Sequence, residues 1–167
     1  LGDHPAVLMF ALGNEIPPGV VRWHGRQHVE RFLRSLYDGA KTLSPDSLFT
    51  YGNFPPTEFL DLSFFDVCAF NVYLHREPEL RAYLARLQNI AGDRPVLMGE
   101  VGLDSRRNGE YTQAQVLTWQ MRTIMAAGCI GAFVFAWTDA WYRGGHDIED
   151  WDFGLTRRDR QPKQSLA

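Results

Sequence analysis

Short apolar runs alternate with longer amphipathic stretches along this chain of 167 residues. Residues 6–12 are uniformly apolar, as expected of a strand that is covered on both faces. From Val29 to Leu43, apolar residues recur instead at helical spacing, and Pro45 ends that pattern. Four more apolar runs follow, at residues 48–51, 66–73, 95–100 and 130–137. Strands and helices that alternate in this way predict an α/β fold with a parallel sheet.

Two later helices are also predicted from apolar residues at helical spacing. One has Pro78 near its start and Gly92 just past its end, the places that proline and glycine favour. The other is predicted to begin at a capping box, Thr112-Gln113-Ala114-Gln115, and to end at Gly128. Five strands with their helices fit either a complete flavodoxin-like doubly wound sheet or the second part of a (β/α)8 barrel. The pattern alone leaves both architectures open.

Composition and charge exclude several functional classes. The formal net charge is −3, which gives no basic surface of the kind that binds nucleic acid. The longest uncharged stretch, residues 123–138, is shorter than the roughly 20 apolar residues of a membrane-spanning helix. The two cysteines, Cys68 and Cys129, are predicted to be free buried thiols, and no Cys or His spacing indicates a metal site. We therefore predict no metal, no cofactor, no nucleic acid partner and no membrane span.

The chain is predicted to be a single domain, residues 1–167, because no linker, repeat or charge block interrupts it. It begins almost inside its first predicted strand, and no signal-peptide pattern precedes that strand. We expect the segment to be part of a longer, soluble polypeptide, whose compartment the sequence does not predict.

Polar side chains follow the predicted strands at their carboxyl ends, where α/β folds gather functional groups. Glu15 and Glu100 each follow an apolar strand directly, Asn14 precedes the first of them, and Tyr73 and Trp137 end neighbouring strands. A carboxylate at such a place loses water and needs a hydrogen-bond partner. Two such carboxylates favour a pair that performs acid–base chemistry over two glutamates that each merely cap a helix. The turn after the first strand also lacks a glycine-rich phosphate loop, which disfavours nucleotide binding.

Three of these segments resemble strands of the large retaining glycoside hydrolase clan, whose members are (β/α)8 barrels. Residues 8–15 are similar to the fourth strand, which ends in an Asn-Glu pair, and residues 95–102 to the seventh, which ends in the nucleophile. Residues 132–137 resemble the eighth strand, whose tryptophan lines the sugar site. Residues 3–7, 153–155 and 162–163 are most similar to the β-galactosidase and β-glucuronidase branch. The resemblance implies a partial TIM barrel that holds strands four to eight.

The same resemblance implies a role for individual residues in a retaining double displacement at a β-linked glycosidic bond. Glu15 would be the general acid/base and Glu100 the nucleophile. Asn14 would bind the 2-hydroxyl of the sugar, Tyr73 would donate a hydrogen bond to the nucleophile, and Trp137 would form an apolar platform under the ring.

Asp139 and Trp141, just past the last strand, are further candidates for sugar binding. The implied partner is a carbohydrate substrate, a β-glycoside. Barrel strands one to three are not found, so we expect them, or additional domains, elsewhere in the same parent polypeptide, and little or no activity from these residues alone. Two alternatives stay open: a non-catalytic carbohydrate-binding or pseudoenzyme module, and an unrelated five-stranded doubly wound domain that binds another ligand.

Overall fold

A computed structural model describes residues 4–166, so Asp3 of the first resembling segment lies outside them. The main sheet has five strands whose spatial order follows their order in the chain. The first two pairs are parallel. The strands are β1 (Met9–Asn14), β2 (Leu48–Asn53), β3 (Cys68–Asn71), β4 (Val96–Val101) and β5 (Gly131–Val134). The prediction of an α/β fold with a parallel sheet is confirmed.

The strand order separates the two architectures that the pattern left open. A flavodoxin-like sheet places its second strand outside the first, in the order 2-1-3-4-5. Here each strand neighbours the next one along the chain, as in a (β/α)8 barrel. The doubly wound alternative is therefore wrong.

Helices connect the strands, as parallel pairing requires. Pro18 opens the first helix at a position that tolerates its missing N–H, and Gly25, with φ +85°, separates that helix from the second. The helices are α1 (Pro18–His24), α2 (Arg26–Leu43), α3 (Glu77–Ala91), α4 (Ser105–Asn108) and α5 (Glu110–Ala126). A short hairpin of β6 (Trp141–Arg143) and β7 (His146–Ile148) follows β5.

The capping box predicted at Thr112 is wrong. Helix α5 begins after Gly109, which lies three residues earlier and carries no side-chain cap. Gln115 does not reach back to Thr112, because its amide donates a hydrogen bond to the Tyr111 hydroxyl. Gln113 is fully buried instead and donates its amide to the Leu103 carbonyl, so the first turn of the helix is held by the core.

The chain divides into two compact units, residues up to Val72 with Leu87–Gly99, and Tyr73–Arg86 with the residues from Glu100 onward. In the first unit, α2 packs Val29 and Leu33 into a cluster with Phe49 and Tyr51 of β2. Tyr37 of the same helix contacts the Phe49 ring edge-to-face. This packing fixes β1 and β2, whose carboxyl ends carry the first group of candidate residues. The expectation of a single domain stays a prediction.

The second unit has a core with several buried polar side chains. Gln113 and Gln120 of α5 are both fully buried, and Gln120 donates its amide to the Leu74 carbonyl. Gly154 lies so close to the chain after β5 that an added Cβ would come within 2.3 Å of the Asp139 nitrogen. Close backbone approach of this kind admits glycine alone.

Two findings concern ligands and membranes. Within residues 4–166, no helix is both long and apolar enough to cross a membrane. In the same residues, no group of three or more His, Cys, Asp or Glu side chains is arranged to hold a metal ion. Cys68 and Cys129 are buried thiols that do not form a disulfide with each other, as predicted.

Candidate active site

The first group of candidate residues lies where β1 ends. The pairing of β1 with β2 is irregular between Ala11 and Asn14, and Glu15 then adopts a left-handed backbone conformation with φ +46°. The Glu15 N–H donates to the Gly52 carbonyl at 2.9 Å. The next N–H, of Ile16, donates to the Tyr51 hydroxyl at 2.7 Å. Two groups of β2 therefore fix the backbone on which Glu15 stands.

A buried asparagine holds the side chains of the same group. Asn71, at the end of β3, is 3% exposed. Its amide nitrogen donates to Asn14 Oδ1 at 3.0 Å and to Glu15 Oε1 at 2.9 Å. The predicted neighbours Asn14 and Glu15 thus meet a third polar side chain, which the sequence analysis did not select as a site residue.

Two glycines make room for these amide groups. A Cβ at Gly52 would lie 2.3 Å from Asn14 Oδ1, and a Cβ at Gly99 would lie 2.6 Å from Asn71 Oδ1. Real Cβ atoms essentially never approach an oxygen so closely. The absence of side chains at Gly52 and Gly99 therefore lets Asn14 and Asn71 lie against the strands.

Tyr51 stays protonated beside this group. Burial raises the pKa of Tyr51 above its ordinary value, and the negative charge of Glu15 adds in the same direction. The hydrogen bond from the Ile16 N–H lowers this pKa, by less than burial raises it but by more than Glu15 contributes. The neutral hydroxyl accepts from Ile16 and keeps its own proton.

The second group lies in the second unit, around Glu100 at the end of β4. The Tyr73 hydroxyl donates to Glu100 Oε2 at 2.6 Å, a short hydrogen bond typical of a charged acceptor. The structure therefore brings these two predicted residues together. A Cβ at Gly102 would meet the Tyr73 ring at 3.3 Å and the Phe135 carbonyl at 2.5 Å, so this glycine allows the tyrosine its place.

Aromatic rings surround Tyr73. Phe135 and Phe153 contact its ring edge-to-face, with centroids 6.4 Å and 5.7 Å away. Trp141 packs on Phe135 at 5.0 Å, and Trp151 stacks on the same ring at 5.4 Å. Together these five residues form the aromatic cluster of the second unit.

Trp137 is not among the rings that pack on Tyr73. Its side chain is 61% exposed, while Phe135, two residues earlier, takes the position beside the tyrosine. The sequence analysis selected Trp137 from its resemblance and did not consider Phe135. Trp141, also selected, joins the cluster through Phe135 and remains 41% exposed.

Asp139 forms an internal ion pair. Its Oδ1 accepts from Lys163 Nζ at 2.7 Å and from the Gly154 N–H at 2.8 Å. The ammonium group also donates to Ser105 Oγ at 2.7 Å and to the Asp152 carbonyl at 3.3 Å. The side chains of Lys163 and Asp139 are only 1% and 5% exposed. Direct sugar binding by Asp139 is disfavoured, because its carboxylate is buried and occupied.

The sequence contained weak signals for the residues that were missed. Asn71 is a polar residue ending an apolar strand two positions before Tyr73, the same signal that identified Glu15. Phe135 lies in the segment that resembles the eighth strand. Lys163 lies in another resembling segment, but no periodicity marks it as a buried partner of Asp139.

Several solved structures that this chain resembles are glycoside hydrolases. A GH2 β-galacturonidase from Eisenbergiella tayi bound to glycerol matches with a TM-score of 0.75 and 18% identity, over 98% of this chain and 32% of that one. A β-glucuronidase from Ruminococcus gnavus in complex with D-glucuronic acid gives 0.78 and 18%, over 98% and 32%. A GH5_18 protein from Streptomyces cattleya in complex with GlcNAc gives 0.79 and 18%, over 99% and 47%.

These matches establish the fold and its extent. The chain has a glycoside hydrolase fold. Its five-stranded parallel sheet matches part of the structure of TIM-barrel glycosidases. It spans about a third of the length of the two GH2 proteins and just under half of the GH5_18 protein. No protein-family model matches the chain, and no curated protein matches its sequence.

Proposed function

We propose that this chain is the part of a retaining β-glycoside hydrolase that carries both catalytic carboxylates, Glu100 as nucleophile and Glu15 as general acid/base. It would supply strands four to eight of the barrel, with the other strands in the same parent polypeptide. Double displacement forms a bond between a Glu100 oxygen and the anomeric carbon while Glu15 protonates the departing oxygen. Glu15 then removes a proton from the water that releases the sugar.

The observation that carries the proposal is the hydrogen bond from Tyr73 to Glu100. A nucleophilic carboxylate has to be ionised and correctly oriented before the substrate arrives. A phenol donor 2.6 Å from Glu100 Oε2 favours the ionised carboxylate and fixes its rotation. A glutamate that merely capped a helix would instead accept from backbone N–H groups of the first turn.

The first unit supports the other half of the mechanism. Glu15 is held by its backbone through Gly52 and by its carboxylate through Asn71. Asn14 Oδ1 is occupied by Asn71, so its NH2 group is the part left to donate to a sugar hydroxyl. Hydrogen bonds to the 2-hydroxyl strengthen as the oxocarbenium-like transition state forms, which is where binding lowers the barrier.

Aromatic side chains of the second unit would contact the apolar face of the sugar. Phe135 and Phe153 both pack edge-to-face on Tyr73, the hydrogen-bond partner of the proposed nucleophile. Trp137 and Trp141 keep 61% and 41% of their surface exposed and are proposed as further sugar contacts. Asp139 is proposed to act indirectly, by fixing the loop between these tryptophans and Gly154.

The test uses the complete natural polypeptide that carries this sequence, compared with the 167 residues alone. Aryl β-glycosides of glucuronic acid, galacturonic acid, mannose and N-acetylglucosamine cover the sugars named for the similar structures. We expect hydrolysis of one of them with retained anomeric configuration, followed by NMR. The 167 residues alone should show little or no turnover, because five barrel strands leave two sheet edges uncovered.

Trapping identifies the nucleophile. A 2-deoxy-2-fluoro glycoside with a dinitrophenol leaving group should attach covalently to the peptide that contains Glu100, as seen by mass spectrometry. Glu100→Gln should abolish turnover, and azide should restore activity to Glu15→Ala by replacing the water that needs a base. Glu79→Gln is the matched control, since Glu79 is a surface glutamate paired with Arg76. A label on any other carboxylate, or inversion of configuration, contradicts the proposal.

Double displacement also sets a geometric requirement. The two carboxyl groups of a retaining enzyme lie about 5–5.5 Å apart, and those of an inverting enzyme about 6.5–9.5 Å. A crystal structure of the complete polypeptide should give the shorter separation between Glu15 and Glu100.

A further inference from the structure

We propose that Asn71 is the positioning residue of the acid/base group, holding Glu15 and Asn14 together through one amide nitrogen. The inference rests on the proposed function, because it is there that Glu15 receives its role. Asn71 itself touches neither substrate nor reacting atoms in this assignment. It acts by restricting the rotation of two side chains that do.

The hydrogen-bond count supports this role. An amide NH2 group has two hydrogens, and those of Asn71 go to Asn14 Oδ1 at 3.0 Å and Glu15 Oε1 at 2.9 Å. Both partner atoms are oxygens that accept hydrogen bonds. If the Asn71 amide were rotated by 180°, its own oxygen would face these two oxygens and repel them. The bond to Glu15 is charge-assisted when that carboxylate is ionised, and such bonds are roughly twice as strong as neutral ones.

The surroundings of Asn71 fix its own position. The residue is 3% exposed and ends β3, in which all four residues are buried. Its Oδ1 lies over Gly99, where a Cβ would come within 2.6 Å. Asn14 Oδ1 lies above Gly52 in a similar way, although Asn14 itself is exposed. The two glycines thus leave room for both amide groups. Glu15 accepts its hydrogen bond from Asn71, the more buried of the two asparagines.

Loss of Asn71 should therefore impair the step that needs an oriented acid. A misplacement of about 1 Å in a catalytic group can cost roughly 100-fold in rate. The effect should depend on the leaving group. A phenol departs slowly without a proton from Glu15, whereas dinitrophenolate departs readily without one.

The experiment compares kcat/KM of Asn71→Ala and wild type in the complete polypeptide, with phenyl and dinitrophenyl glycosides of the sugar that the wild type cleaves. This parameter reports the first step, in which Glu15 acts as acid. We expect a loss of about 100-fold with the phenyl glycoside and a loss at least tenfold smaller with the dinitrophenyl glycoside. Equal losses with both substrates would show a merely structural role and overturn the proposal.

Asn53 provides a matched control. It is also a buried asparagine that ends a strand, β2, but its side chain bonds to Thr57 and the Phe54 N–H. Asn53→Ala should affect both glycosides equally. Asn71→Asp is the second variant, because it keeps the shape of the side chain while removing both donors. It should reproduce the leaving-group dependence if Asn71→Ala does not fold.

A crystal structure of Asn71→Ala, or of Asn71→Asp, separates this inference from the proposed function. Movement of the Glu15 carboxylate by more than about 1 Å, or a second rotamer for it, supports positioning whatever the enzyme's activity. Unchanged Glu15 and Asn14 side chains refute it. If the wild type cleaves no glycoside, the proposed function fails while this structural result still stands.

Discussion

Replacing Lys163 with methionine should be among the most destabilising single changes in the second unit. The Lys163 ammonium is 1% exposed and donates to three oxygens, and its ion-pair partner Asp139 is 5% exposed. Removing one member of a buried pair leaves an uncompensated charge, which costs about 3–5 kcal/mol. The Gly154 N–H still bonds to Asp139, so we expect the lower half of that range, about 3–4 kcal/mol.

Urea unfolding of wild type and variants measures this change in the free energy of unfolding. Lys163→Met combined with Asp139→Asn should recover at least half of the loss, because an amide oxygen can still accept from Gly154 without burying a charge. Arg81→Met is the control, since its ion pair with Glu77 has side chains 70% and 46% exposed and should contribute less than about 1 kcal/mol. The reasoning is refuted if Lys163→Met costs no more than Arg81→Met, or if the two buried substitutions add their costs.

Two further predictions concern the stability of glycine variants and the dependence of stability on pH. Gly154→Ala should lower the free energy of unfolding more than Gly52→Ala, because an added Cβ at Gly154 meets backbone atoms at 2.3–2.4 Å, whereas at Gly52 it meets the movable end of Asn14. Gly19→Ala, with open space around it, should be nearly neutral, and equal effects of all three in urea unfolding would contradict the argument. Burial raises the pKa of the Cys129 thiol above its ordinary value of 9.0, so its contribution to stability is present below pH 9.0 and lost as pH rises through the folded-state pKa. Unfolding measured from pH 7 upward should show a decline above about pH 9 that Cys129→Ala reduces, and an unchanged decline would argue against a buried thiol.

The sheet was predictable because its strands are continuous apolar runs, the pattern typical of buried strands in parallel sheets. Strands β2, β3 and β4 are largely buried, whereas β1 and β5 are apolar but only partly covered. Glu15 and Glu100 were predictable for the same reason, since each is the first acid after such a run. The hairpin of β6 and β7 was not predicted. Gly144-Gly145 indicates a turn between them, but strands of three residues are too short to show the alternation of apolar and polar residues that identifies a strand.

The partners of the site residues depend on information that a linear pattern does not hold. Asn71 lies 57 and 56 positions from Asn14 and Glu15, so their contact follows from strand order and register. Phe135 and Trp137 are two positions apart, which places both on one face of an ideal strand. Strand β5 ends at Val134, however, and the irregular chain beyond it decides which ring meets Tyr73.

The left-handed backbone at Glu15 has a consequence for how sequences of this kind change over generations. A left-handed backbone conformation such as that of Glu15 costs a residue other than glycine of order 1–3 kcal/mol, whereas glycine adopts it without strain. A Glu15→Gly change would remove a carboxylate and relieve strain together. The same change would leave one donor of the buried Asn71 amide without its acceptor, which costs about 1–3 kcal/mol. In a lineage released from selection for turnover, the relief of strain and the loss of this hydrogen bond would therefore nearly cancel, and position 15 would be free to change with little effect on stability.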